Sequence, residues 1–292
     1  MGIRERVRLL LIVCMFILCL SGCNKSESEN YLQLLQEQGI TDNSYNHWQN
    51  SKSECVQISS SGIFMNEVDG KHDKELYQLE NGEYKKIAEQ AYAFFEFEGK
   101  VYYYDGENNV YCYDIATEST RMFLPVSMKI SWFGLYNNKI LCAGRRGILD
   151  MVLELYTLDG ECVKTYFTER KRRDSFGQVV RIGRFVVFLE DLEAEVYDLE
   201  NDKSHYLIWE DGLSDSYMVS DQENLYISVG RYRIEGDYST SEVYSKWNGL
   251  WKISLYDMER DNWELTKISD QSYSKFYCVE NKLFDENYTL IK

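Results

Sequence analysis

Proline is nearly missing from this chain. Pro125 is the only one in 292 residues, so no proline-rich linker divides the sequence. Histidine is almost as scarce: His47, His72 and His205 lie far apart and share no metal-ligand spacing. No CxxC occurs, which removes zinc-ribbon and thioredoxin-like readings. GxSxG, HExxH, the P-loop and GxGxxG are absent too, and with them the commonest signatures of hydrolase, metalloprotease and nucleotide chemistry. A surplus of basic residues is also lacking. The net charge is −16, and phosphate would be repelled over most of such a surface. Nucleic acid and anionic lipid are therefore excluded as general partners. No catalytic residue, metal or cofactor is expected.

Aromatic and β-forming residues are what the chain has instead. Hydrophobic residues make up 44% and aromatics 15%, with 24 tyrosines, so a sizeable core forms and the composition leans towards sheet. The length suits one large all-β domain or two smaller ones. Of eight cysteines, Cys14, Cys19 and Cys23 lie near the N-terminus. Cys112 and Cys142 fall inside apolar runs, which predicts buried free thiols in different strands.

Arg4, Arg6 and Arg8 form a positive start, and residues 9–20 an apolar run too short for a stable spanning helix. Leu20-Ser21-Gly22-Cys23 closes it. This order resembles the signal peptide and lipobox of bacterial lipoproteins, over residues 1–23 alone. The resemblance implies removal of residues 1–22 and a diacylated Cys23. It implies a protein held to the bacterial cell membrane, facing away from the cytoplasm. From Cys23 onwards the charge is near −18, because the removed segment holds three Arg and one Glu. The lipid, not a basic face, must then supply the attachment.

Residues 24–30 read as a polar tether. Tyr31, Leu32, Leu34 and Leu35 followed by Gly39 predict one short helix. Residues 23–56 hold the lipidated Cys, the tether, this helix and a possible ring-closing strand. Residues 57–292 hold the main domain.

Two signals recur there. One is a Gly or Asn turn, often followed by Lys or Arg, then an apolar strand, as at Gly99-Lys100-Val101, Asn138-Lys139-Ile140, Gly183-Arg184-Phe185 and Asn281-Lys282-Leu283. The other is an aliphatic-aromatic pair taken to begin the third strand: Leu76-Tyr77, Val110-Tyr111, Leu155-Tyr156, Val196-Tyr197 and Leu250-Trp251. Its intervals of 34, 45, 41 and 54 residues average that of a four-stranded propeller blade. Within the second period, strands are expected near 92–97, 100–104, 110–115 and 120–124. Many strands are apolar on both faces, as a sheet packed between neighbouring sheets requires. A pair of β-sandwiches would compete, but it explains no 43-residue repeat.

Val101-Tyr102-Tyr103-Tyr104-Asp105 resembles the repeat of bacterial β-propellers related to the YWTD modules of the low-density-lipoprotein receptor family, with Tyr103 and Tyr104 replacing Trp and Thr. The expectation is an all-β propeller of about six four-stranded antiparallel blades. The last block lacks a fourth strand, which residues 55–58 or the segment before them would supply.

Ser272-Tyr273-Ser274-Lys275 matches SxxK without its companion motifs. Asp105-Gly106-Glu107-Asn108-Asn109 suits a turn better than a calcium loop. The remaining candidates are basic and aromatic. Arg145 and Arg146 are expected in the loop joining strands 2 and 3 of the third blade, and Arg172 and Arg173 in the link to the fourth. Tyr232 and Trp247 are expected in an insertion in the fifth. Up-and-down alternation puts all three segments at one end of the ring, where arginine and aromatics suit a carboxylate-bearing glycan or an acidic protein segment. The expected function is a membrane-anchored binding or scaffolding module. The alternative is a cell-envelope glycan- or peptide-active enzyme with its site in the propeller channel.

Overall fold

A computed structural model of the protein describes residues 26–43, 56–66, 75–107, 109–125, 128–146, 150–167, 178–190, 193–209, 213–233, 242–243 and 247–291. They form an all-β fold with two helices. The first helix, α1 (Glu27–Glu37), starts at a capping box: Glu29 N–H donates to Ser26 Oγ at 3.1 Å, and Ser26 N–H to the Glu29 carboxylate at 3.0 Å. Gly39 takes φ +75° just past its end, as the glycine stop predicts. The tether reading is corrected here, since residues 26–30 are a cap and a first helical turn. Ser28 is fully buried, and its hydroxyl donates to Asn66 O at 2.5 Å.

Six sheets follow. The first contains β1 (Val56–Ser59), β2 (Gly62–Asn66), β3 (Leu76–Glu80) and β4 (Glu83–Ala88). The second contains β5 (Ala93–Phe97), β6 (Lys100–Tyr104), β7 (Asn109–Asp114) and β8 (Ser119–Pro125), within one residue of expectation at nearly every boundary. The third runs through β9 (Lys129–Tyr136), β10 (Lys139–Arg146), β11 (Asp150–Tyr156) and β12 (Cys162–Phe167). The fourth holds β13 (Gln178–Ile182), β14 (Phe185–Glu190), β15 (Glu193–Asp198) and β16 (Lys203–Trp209). The fifth holds β17 (Leu213–Ser220), β18 (Asn224–Arg233), a two-residue β19 (Glu242–Val243), β20 (Gly249–Ser254) and, after α2 (Leu255–Glu259), β21 (Thr266–Ser269). The last pairs β22 (Phe276–Val279) with β23 (Lys282–Asp285). In each four-stranded sheet the spatial order follows the chain, antiparallel throughout; β19 only extends β18.

Two-residue hairpins join many of these strands. Phe97 pairs with Lys100 across Glu98-Gly99, and Tyr136 with Lys139 across Asn137-Asn138. Both central residues have positive φ (52° and 73°, then 49° and 55°), so the Gly and Asn of the recurring turn are there for left-handed backbone.

The first strands of successive sheets lie side by side, β1 by β5, then β9, β13, β17 and β22. Glutamine amides tie some of them together. Gln57 Nε2 donates to Glu96 O at 3.0 Å while Glu96 N–H donates to Gln57 Oε1 at 2.5 Å, and Met218 N–H donates to Gln178 Oε1 at 2.6 Å. Each core cluster is shared by neighbouring sheets. Phe64 and Leu76 meet Phe94 and Val101; Phe95 and Tyr102 meet Phe133 and Ile140; Val187 and Val196 meet Ile227 and Ile253. The final cluster joins Val56, Ile58 and Met65 of the first sheet to Tyr277, Val279 and Phe284 of the last, with Leu32, Leu34, Leu35 and Ile40 filling the gap. This is the β-propeller arrangement.

Two expectations are corrected. Val56–Ser59 pairs with β2, so residues 56–58 belong to the first sheet and do not complete the last; Cys55 lies outside the described residues. Among the described residues the core shared with α1 links the last sheet to the first; the segment before residue 55, the other expected source of a closing strand, lies outside the described residues back to residue 44. Tyr111, Tyr156 and Tyr197 do occupy third strands, but not one register. Tyr156 and Tyr197 face the second residue of the preceding strand (Ile140 and Val186), a place held in the second sheet by Tyr113 opposite Val101. Leu155-Tyr156 ends its strand; it does not begin it.

Cys112 and Cys142 are buried free thiols in different sheets, as expected. No helix among the described residues is long and apolar enough to cross a membrane.

Candidate functional site

Arg145 and Arg146 are strand residues, which corrects their placement in a loop. Arg145 pairs with Lys129 and Met151, and Arg146 with Asp150, so the ladder runs past the expected turn. The register of β9 shifts beside Gly144. A Cβ at Gly144 would lie 2.5 Å from Lys129 O and 2.6 Å from Met128 Sδ, so only glycine allows this close crossing. Tyr232 is likewise in a strand, opposite Ser214 and Val243, because β19 prolongs the hairpin into the expected insertion. Arg145, Arg146 and Tyr232 all lie at the far ends of second strands, the end of the sheets that alternation assigned to them. Arg172, Arg173 and Cys23 lie outside the described residues.

The side chains alter the basic-and-aromatic reading. Arg146 Nη2 forms an ion pair with Glu154, whose side chain is only 2% exposed, and the Tyr156 hydroxyl donates to the same carboxylate. Burial pushes the Tyr156 phenol up, so it stays protonated and keeps donating. The Arg146 charge is thus committed to compensating a buried acid on the adjacent strand. Trp247 is not an open platform either. It is partly buried against the core between the fourth and fifth sheets. Its ring centroid is 5.1 Å from that of Trp251, whose Nε1 donates to Trp247 O at 2.7 Å.

The opposite end, formed by the hairpins between first and second strands, carries features the sequence reading missed. A cleft of about 430 Å³ is lined by Leu135, Tyr136, Asn137, Asn138, Arg181, Gly183, Arg184, Glu200 and Glu259. Arg184 is balanced there: its Nε lies 3.1 Å from Asp198 Oδ2 and its Nη1 3.4 Å from Glu200 Oε2. Asp198 also accepts from the amides of Glu200 at 2.9 Å and Asn201 at 3.1 Å. Burial raises its pKa, but the Asn201 and Glu200 hydrogen bonds and the Arg184 charge outweigh that, leaving it below the usual carboxylate range. Arg181 differs. Its Nη1 donates to Gly183 O at 2.6 Å, its guanidinium lies 6.0 Å from the Tyr136 ring centroid, and no carboxylate among the described residues pairs with it. The one available signal was an arginine in an otherwise apolar first strand, Gln178-Val179-Val180-Arg181-Ile182.

Asp105 spends its carboxylate on its own turn, accepting from Glu107 N–H at 2.7 Å and Asn109 N–H at 3.1 Å. That is turn chemistry, as expected. No group of three or more His, Cys, Asp or Glu suited to a metal occurs among the described residues.

The geometry defines a β-propeller domain. No family model matches the chain, and no curated protein matches it in sequence. Among solved structures it is similar to the tricorn protease, with TM-score 0.52 and 13% identity, over 82% of this chain and 27% of that one. The chain therefore spans about a quarter of that protein, and the likeness is one of fold. A structure of prolyl endopeptidases aligns over 60% of this chain and 31% of that one, at TM-score 0.39 and 10% identity, too low to argue from.

Proposed function

We propose that the protein is a bacterial lipoprotein acylated at Cys23, whose six-bladed propeller binds or scaffolds a carboxylate-bearing glycan or acidic protein segment outside the cytoplasm. The observation that carries this reading is the position of α1. Its cap, Ser26, comes three residues after Cys23, and its leucines fill the core shared by the first and last sheets. Three residues span at most about 11 Å. A lipid on Cys23 would therefore hold the propeller against the bilayer, with little tether between anchor and body. Six sheets and six shared clusters support the blade count.

Binding is favoured over catalysis by the buried acids. Glu96, Glu154 and Glu195 sit in three different sheets, each engaged by another side chain: Ser61 Oγ donates to Glu96 at 2.9 Å, Arg146 pairs with Glu154, and Ser204 Oγ donates to Glu195 at 2.6 Å. Each thus serves a contact within the fold, which favours binding over acid-base catalysis. The second reading, an envelope enzyme, takes peptide as its first substrate class because the tricorn protease is a protease.

Metabolic labelling with palmitate tests the anchor. The parent protein takes label and fractionates with membranes, whereas Cys23→Ser does neither; equal labelling of both would reject the assignment. Binding to immobilised alginate, a polyuronate, tests the ligand class. Retention should fall steeply between 50 mM and 500 mM salt, and no retention at low salt rejects that class.

A further inference from the structure

The cleft between the third and fourth sheets is lined by a cation the fold leaves without a counter-charge. β13 alternates, so Arg181 points to the same side as Val179, towards the third sheet, and Tyr136 comes from that sheet's first hairpin. The Arg181 Nε is out of contact with solvent and meets no acceptor among the described residues. Burying a guanidinium is costly unless something compensates the charge. Here the protein supplies one carbonyl, from Gly183, and an aromatic face. A few residues away Arg184 has two carboxylates, so the lack at Arg181 is local within an acidic protein.

We propose that this cleft binds an organic carboxylate, with Nη2 of the Arg181 guanidinium as its donor. A guanidinium N–H donating to a carboxylate makes a charge-assisted hydrogen bond, stronger than a neutral one. With Nη1 held by Gly183 O and Nε out of contact with solvent, Nη2 is the donor left to the ligand. The side-chain amides of Asn137 and Asn138 line the same cleft and offer further donors. Glu200 is balanced by Arg184, and Glu259 is exposed at the cleft, where it opposes a second negative charge. The site therefore takes a monocarboxylate in preference to a dicarboxylate. Arg181 stays protonated at neutral pH even though burial lowers its pKa to about 10. This site lies at the end of the sheets opposite Arg145, so its failure leaves the reading of that other end untouched.

The test is calorimetric titration of the full-length protein in detergent. The probes are N-acetylglycine, the tripeptide Ala-Ala-Ala with a free C-terminus, its C-terminal amide, and inorganic phosphate. The free acids are expected to bind in the millimolar range or tighter, and the amide at least tenfold more weakly. A tripeptide at least tenfold tighter than N-acetylglycine assigns the site to peptide termini; equal affinities assign it to small acids. Arg181→Met should lower affinity for the acid at least tenfold, and Arg181→Lys should restore part of it. The acid-against-amide comparison on the unaltered protein decides the matter if Arg181→Met does not fold. Equal binding of acid and amide, tighter binding of phosphate, undiminished binding by a folded Arg181→Met, or no binding at 20 mM acid would each overturn the proposal.

Discussion

Replacing Leu35 by Ala probes the closure of the propeller directly. Leu35 is on α1, wholly buried, and packs in the cluster that joins the first and last sheets. Around it the helix is tied to both sheets. Ser28 Oγ donates to Asn66 O at 2.5 Å and Tyr84 OH to Glu29 Oε1 at 2.9 Å on one side. On the other, Tyr288 OH donates to Glu27 O at 3.2 Å, Lys282 Nζ to Gln38 Oε1 at 3.0 Å, and Tyr31 stacks on Tyr277 at 5.0 Å. Lys275 and Tyr277 both reach the Glu27 carboxylate. A helix held on two sides collapses poorly onto a cavity, so Leu35→Ala should fall within the usual range for buried leucine, about 3 kcal/mol. For a domain of this size each kcal/mol shifts Tm by about 3 °C, giving a drop of about 9 °C by circular dichroism. Leu290→Ala, at 51% exposure, should stay within about 0.5 kcal/mol of the parent. Hydrogen exchange should place the lost protection in β1, β22 and β23. A folded Leu35→Ala losing under about 1 kcal/mol, or losing protection in the third and fourth sheets instead, would refute the closing role of α1.

Arg146→Met should cost about 3 kcal/mol by chemical denaturation, because it strands a buried Glu154. Adding Glu154→Gln should recover more than about 1 kcal/mol; strict additivity would show the pair to be uncoupled. Asp198 has a depressed folded pKa, so its contribution is present above the unfolded value near 3.9 and is lost as pH falls through the lower folded one. Asp198→Asn should therefore melt about 6 °C lower at pH 7, with the gap closing towards pH 2; a gap independent of pH would contradict this. Brief iodoacetamide treatment of the native protein at pH 8 should modify Cys162, which is exposed. It should spare Cys112, Cys142 and Cys278, whose thiols burial pushes up, and non-reduced peptide mapping should show no Cys112–Cys142 bridge.

Strand positions were legible where turn chemistry was explicit. Glu98-Gly99 and Asn137-Asn138 fix two-residue hairpins, and a hairpin fixes the pairing on either side. Register across sheets was less legible. A strand buried on both faces has no polar side to mark its phase, so an aliphatic-aromatic pair sits equally well at either end of a third strand. That is why Leu76-Tyr77 begins β3 while Leu155-Tyr156 ends β11. The capping box Ser26-x-x-Glu29 was present in the sequence, but seven polar residues beside a proposed anchor read as a tether. What decided between cap and tether was Ser28 meeting Asn66, 38 residues away, and no local pattern carries that contact.

The arginines show why the site was harder than the fold. A basic cluster in an acidic chain looks like a surplus aimed outwards. Yet 48 acidic groups on a chain with 32 basic ones make it common for an arginine to find a carboxylate within its own sheet. Arg146 finds Glu154 on the neighbouring strand, and Arg184 finds Asp198 and Glu200. Neither pairing joins residues directly opposite in the ladder: Arg146 faces Asp150 yet reaches Glu154, and Arg184 lies in the hairpin before β14, so the sequence alone does not mark them. Arg181 drew no notice because it stands alone among apolar residues, where a single charge reads as a strand edge. Its isolation is what makes it informative in three dimensions. In a chain this acidic, a partly buried arginine with no carboxylate among the described residues is the place where the proposed ligand's carboxylate would complete the structure.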